Sequence, residues 1–184
     1  AGWYNQQDLR KKDFGLLHSP KGYISEMRGD SFTKYMDANS EYQLVSSYYT
    51  DSSRKNAYNN AINMLEENSN LGFVYASSTD IALGISDAII DKQLQNEVLV
   101  NGWGGGSAEL KAIEQGKLDV TVMRMNDDNG VAMAEAIKLD LAGEDKKVPT
   151  IYSGDYEVVT KESSPAKIAS LKQRAFRYSG VINK

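Results

Sequence analysis

The chain has 184 residues, 41% of them apolar and 25% charged, which is enough to bury one sizeable core and too apolar for a disordered segment. A net charge of −4 with scattered lysines and arginines argues against nucleic acid as the main partner. The absence of cysteine removes disulfides, thiolate metal sites and a cysteine nucleophile, and no apolar run approaches the roughly 20 residues of a membrane-spanning helix.

The chain opens on a polar, aromatic stretch, "AGWYNQQDLRKKDFG", with no signal-peptide pattern. A weak strand follows at "FGLLHS" (14–19), and "KGYISEMRGDSF" (21–32) then places Arg28 near the start of the first strong helix. "YQLVSSYY" (42–49) reads as a strand, and Asp51 signals a helix with Tyr58, Ala61, Ile62 and Leu65 at i, i+3, i+4 and i+7. "LGFVYA" (71–76) is a strand, and Thr79 opens a helix carrying Ala82, Ile85 and Ile89 on one face. Strands at "EVLVN" (97–101), "LDVTVMR" (118–124) and "YEVVT" (156–160) alternate with helices opened by Ser107, by the Asp127–Asp128 pair and by Ser164-Pro165. Regular alternation of this kind predicts an α/β fold, a three-layer doubly wound and mainly parallel sheet, with ligands bound at the carboxyl ends of the strands.

Between the strand at 97–101 and the helix at Ser107 lies "NGWGGG". The spacing matches the dinucleotide fingerprint G-x-G-x-x-G at Gly102 and Gly104 but puts Ser107 where the third glycine belongs. No Lys-Ser or Lys-Thr pair follows, so the phosphate-binding P-loop fails as well. A large, flat Trp103 among glycines has little core to fill, and the loop reads as built around a small molecule.

The polar residues just past the strand ends are the candidate binding groups. They are Thr79 and Asp80 after 71–76, Trp103 after 97–101 and Arg124 at the end of 118–124, with Arg28 brought to the same edge by its helix. Arginines offer fixed charge and a donor fork, Asp and Thr exchange hydrogen bonds with hydroxyls, and an indole covers an apolar face. Ordinary explanations compete: helix capping for Thr79 and Asp80, and surface pairing of Arg28 with Glu26 or Asp30 and of Arg124 with Asp127 or Asp128. Chemistry is thinly equipped. His18 is the only histidine, the G-x-S-x-G elbow is absent, and no carboxylate pair is marked as acid and base. A binding protein without metal or cofactor accounts for these residues better than an enzyme.

"GYISEMRGDSF", "YASSTDIALG", "NGWGGGSAELKAIEQGKLDVTVMRMNDDNGVAMAEAIK" and "YSGDYEVVTKESS" together resemble the periplasmic autoinducer-2 receptors of the type I periplasmic binding protein family, which is related to the ribose-binding proteins. The resemblance runs in order from about Gly22 to Tyr178. It implies a C-terminal lobe over 1–117, a strand and helix at 118–148 belonging to a second lobe that is missing here, and a return strand and helix over 149–184. It further implies that Arg28 and Arg124 face the anionic borate of a furanosyl borate diester, that Thr79 and Asp80 contact ligand oxygens, and that Trp103 lines the pocket. The receptor would lie in the periplasm against the periplasmic domain of a membrane sensor histidine kinase. A sugar-binding receptor of the same family and a nucleotide-dependent enzyme on a doubly wound sheet are the alternatives.

Overall fold

Six strands form one sheet, and the burial of each follows its apolar content. The computed structural model describes residues 1–176; Tyr178 and the end of the 149–184 segment lie outside the described residues. The strands are β1 (Asp13–His18), β2 (Gln43–Tyr49), β3 (Leu71–Ala76), β4 (Leu99–Gly104), β5 (Val120–Arg124) and β6 (Tyr156–Thr160), in the order β2-β1-β3-β4-β5-β6. The first five run parallel, and β6 pairs antiparallel with β5. Every residue of β3, "LGFVYA", is buried, as a strand covered on both faces requires, whereas the edge strand β2 keeps alternate residues exposed.

The helices are α1 (Gly2–Asn5), α2 (Tyr23–Asn39), α3 (Arg54–Glu67), α4 (Thr79–Asp91), α5 (Ser107–Glu114), α6 (Asn126–Leu141) and α7 (Pro165–Ala175). On one face of the sheet, α3, α4, α5 and α7 bury Ala61, Met64, Ile81, Ile85, Leu110 and Ile168 against Leu17, Val74 and Val100. On the other, α1 and α2 bring Tyr4, Phe32 and Met36 onto Phe14 and Phe73. Tyr4 and Phe14 both stack on Phe73, at 4.0 and 4.9 Å between ring centroids. The three-layer, mainly parallel arrangement expected from the alternation is the one observed.

Local boundaries differ in instructive ways. Ser53, not Asp51, caps α3 by accepting the Asn56 amide, while Asp51 accepts from the Ser53 amide one turn earlier. Ser78 is the N-cap of α4, so Thr79 is its first helical residue. Gly106 caps α5 and leaves Ser107 as the first residue of that helix. Ser164 caps α7 through the Lys167 amide, with Pro165 in the first turn, as the sequence suggested. β4 does not stop at Asn101; it continues through Gly102 and Trp103 to Gly104, because pairing with β5 uses only backbone groups. Of the segment 118–148, the strand portion lies in this sheet between β4 and β6. Its helix α6 buries no residue and leaves Met133, Ile137 and Leu141 exposed.

Candidate functional site

The carboxyl ends of β3, β4 and β5 open a cleft where the ladder between β3 and β4 ends early. Only Phe73↔Leu99 and Val74↔Val100 pair directly. Beyond them the Asn101 side chain takes over: its Oδ1 accepts the Ala76 amide at 3.0 Å and its Nδ2 donates to the Ala76 carbonyl at 2.9 Å. The buried Tyr4 hydroxyl donates to the same Oδ1 at 3.1 Å. An amide mimicking a peptide group lets the strands separate without leaving backbone groups unpaired.

Trp103 stands at this opening. Its indole N–H donates to the Tyr75 hydroxyl at 2.7 Å, and the Tyr75 ring stacks on Phe32 at 4.1 Å. Burial pushes the Tyr75 phenol up, so it stays protonated. The guanidinium of Arg28 lies over the Trp103 ring, 4.4 Å from its centroid, while its Nη1 donates to the Ser77 carbonyl at 2.7 Å. Burial, and then the positive charge of Arg124, lowers the Arg28 pKa. The two arginines therefore repel each other across the opening, a cost that an anion between them relieves.

The candidate residues converge unequally. Thr79 Oγ1 donates to the Trp103 carbonyl at 3.2 Å, tying the first turn of α4 to β4. A Cβ added to Gly104 would lie 3.7 Å from Thr79 Oγ1 and 3.9 Å from the Arg124 guanidinium, so Gly104 is the floor between them. Trp103 and Val122 divide two cavities of about 520 and 490 Å³; Arg124, Tyr152 and Asn129 line the first, and Arg28, Tyr75 and Met27 the second. Asp80 is exposed in the first turn of α4 and lines neither cavity; its charge acts on Arg54. Surface pairing does not explain the arginines. Among the described residues neither Arg28 nor Arg124 is ion-paired, and Asp128 pairs instead with Arg174 at 2.6 Å. A larger cavity of about 640 Å³ lies off this edge, between α2 and β2, where Lys34 faces Asp30 and Asp37.

The glycine loop is not a phosphate cradle. Two amides that would face an anion, those of Trp103 and Gly105, already donate to the buried Glu109 carboxylate at 3.0 and 2.9 Å, and the Thr121 hydroxyl donates to it at 2.5 Å. Gly105 has φ +68° and sits where a Cβ would be 2.4 Å from Met123; Gly104 has φ +129°. The glycines thus serve strand pairing, a positive-φ turn and room for a carboxylate.

Sequence reasoning missed Tyr75, Asn101, Ser77 and Glu109. Tyr75 and Asn101 sit inside strand patterns, where a polar atom reads as incidental. Glu109 carried a signal, since it stands at the third helical position after Gly106, where a carboxylate reaches back to amides at the helix start. Ser78 leaves a buried Oγ with no partner at the same edge.

Residues 10–145 match the family model described as a periplasmic binding protein domain. The chain is 27% identical to the D-allose-binding periplasmic protein of Escherichia coli K12 over 80% of its own length and 47% of that protein's. It is 28% identical to the ribose import binding protein RbsB of the same organism, over 73% of the chain and 44% of RbsB. It thus spans about half the length of these relatives. Among solved structures, a periplasmic solute-binding protein of an ABC transporter from Actinobacillus succinogenes with bound D-allose superposes with a TM-score of 0.73 at 26% identity, covering 83% of this chain and 53% of that one. A chain from the XylFII–LytSN complex shares the fold, with a TM-score of 0.78 at 18% identity over 89% of this chain and 57% of that one.

Proposed function

The chain belongs to the periplasmic binding protein domain family, and from that premise we propose that it is the C-terminal lobe of a solute receptor holding a small, ring-shaped polyol of the sugar class against Trp103. The observation that carries this is the Trp103 platform at the strand ends. Its indole is fixed by Tyr75, flanked by Arg28 and bordered by Thr79 at an opening between strands. An aromatic face with convergent donors and acceptors is what a sugar ring requires, an apolar surface for its C–H face and hydrogen bonds around its rim. The relatives named for D-allose and ribose support this class of ligand, and they are binding proteins rather than enzymes. The nucleotide-dependent alternative loses its basis, because the loop amides it needs are taken by Glu109.

A second reading is favoured by one feature. Two arginines at one opening, neither ion-paired among the described residues and each raising the cost of the other's charge, suit an anion better than a neutral sugar. Under it the ligand is the furanosyl borate diester autoinducer-2, as in receptors of the LuxP type, with Arg28 and Arg124 facing the borate and Thr79 and Asp80 on ligand oxygens. The receptor then lies in the periplasm and passes its state to the periplasmic domain of a LuxQ-like sensor histidine kinase. We assign α6, which buries nothing here, to contact with a second lobe that closes over the ligand. Thermal-shift titration of the two-lobed receptor with D-ribose, D-allose, borate plus the autoinducer precursor, and NAD separates the readings. Stabilisation by a sugar alone supports the first, by the borate adduct alone the second, and by NAD alone overturns both.

A further inference from the structure

We infer that Glu109 is the positioning residue of the ligand platform, its carboxylate setting the backbone on both sides of Gly104 and thereby the placement of Trp103. The inference rests on the proposed role of Trp103 as the ligand-facing surface. Glu109 is fully buried, and among the described residues it has no basic partner; its charge is met by the Trp103 amide, the Gly105 amide and the Thr121 hydroxyl. A buried carboxylate is expensive unless such donors are aimed at it, and a neutral residue would fill the space more cheaply. What the charge does is visible in its donors. Two of the three are the peptide groups flanking Gly104, the floor between Thr79 and Arg124.

The surroundings are shaped to admit this side chain. A Cβ on Gly102 would lie 2.6 Å from the Glu109 Oε2, so Gly102 is the residue that makes room for it. Each carboxylate oxygen accepts a different loop amide, Oε1 from Trp103 and Oε2 from Gly105. A carboxylate can hold two amides at that spacing; a carboxamide offers a single acceptor and turns an N–H₂ toward the other amide. Trp103 is held from both ends as a result, at its amide by Glu109 and at its indole by Tyr75. Arg28, stacked on that indole, inherits the placement.

The test has a ligand-free arm and a ligand arm. In ¹H–¹⁵N spectra of the 184-residue chain the two indole resonances belong to Trp3 and Trp103, and Trp3→Phe assigns them. Glu109→Gln is expected to move the Trp103 indole and the Trp103 and Gly105 amide resonances beyond their linewidths and leave Trp3 in place. Asp119→Asn is the control: Asp119 is also buried, accepting the Val100 amide and Lys161, so its loss perturbs the sheet without moving the Trp103 indole. If Glu109→Gln does not fold, Thr121→Val removes one donor at constant shape and should move the same resonances. In the two-lobed receptor, titrated with D-ribose, D-allose and the borate adduct, Glu109→Gln should weaken whichever probe the wild type binds by about tenfold, the loss of one charge-assisted hydrogen bond. Unmoved Trp103 resonances in the folded variant, equal movement in Asp119→Asn, or unchanged affinity despite a moved Trp103 would each overturn the inference. A wild type that binds no probe would count against the proposed function, and the spectra would still decide the role of Glu109.

Discussion

The guanidinium of Arg28 stacks on the ring of Trp103 at 4.4 Å while donating to the Ser77 carbonyl, so a charge from α2 is pinned across the ends of β3 and β4. One end of the fork is occupied by the carbonyl and one face by the indole. The fork's remaining donors are those available to a ligand.

Replacing this arginine should therefore cost more than a surface charge does. In the two-lobed receptor, Arg28→Met should weaken an anionic ligand by about one to two decades, the worth of a charged hydrogen bond shielded from water. Arg28→Lys should recover only part of that, because an ammonium lacks the planar fork that stacks and donates together. Calorimetric titration checks both, and equal affinities in wild type and Arg28→Met would remove Arg28 from the binding site.

The glycines of the loop make a sharp internal comparison. Gly105→Ala forces a side chain into a positive-φ position and onto Met123, and should destabilise the fold by about 2 kcal/mol or more. Gly106→Ala should cost under about 1 kcal/mol, since its φ is −68° and nothing lies within 4 Å of the added carbon. Urea unfolding of the two variants measures the difference; equal midpoints would mean that the turn is not held as described.

His18 supplies a pH dependence. It is buried beneath α2, stacked on Tyr49 at 4.4 Å and joined to Ser47 through Nε2. Burial lowers its pKa against weaker opposing pulls from the Ser25 backbone, Asp30 and Glu26. A folded value below the unfolded one means that the unfolded chain binds the proton more readily. The contribution of the neutral ring is thus complete above about pH 6.5 and is lost as pH falls through the lowered folded-state value. Unfolding free energies between pH 7.5 and 5 should fall more steeply in wild type than in His18→Gln. Parallel slopes would assign the dependence to other groups.

Much of this fold was legible because its strands are rich in β-branched and apolar residues and its helices keep a 3.6-residue period, as Leu71–Ala76 and Tyr58–Leu65 illustrate. The convergence of Arg28, Thr79, Trp103 and Arg124 followed from the rule that parallel strands present their carboxyl ends to ligands. What stayed hidden depends on tertiary partners. Glycines at 102 and 104 read as loop until backbone pairing with β5 makes them strand. Tyr75 and Glu109 read as core strand and solvated helix until their polar atoms are seen to meet Trp103. Asp80 shows the converse, a residue at the right edge whose side chain lines neither cavity beside Trp103.

The most direct measurement of the central claim, that the ligand rests on Trp103, is tryptophan fluorescence in a Trp3→Phe background of the two-lobed receptor, where Trp103 is the only indole of this chain. Any further tryptophan of the second lobe is replaced by phenylalanine. Titration with D-ribose, D-allose and the borate adduct should produce a saturable change in Trp103 emission with at least one of them, shifted to higher concentration by Arg28→Met. A ligand that binds by calorimetry yet leaves the Trp103 emission unchanged at saturation would place the site elsewhere and contradict the account.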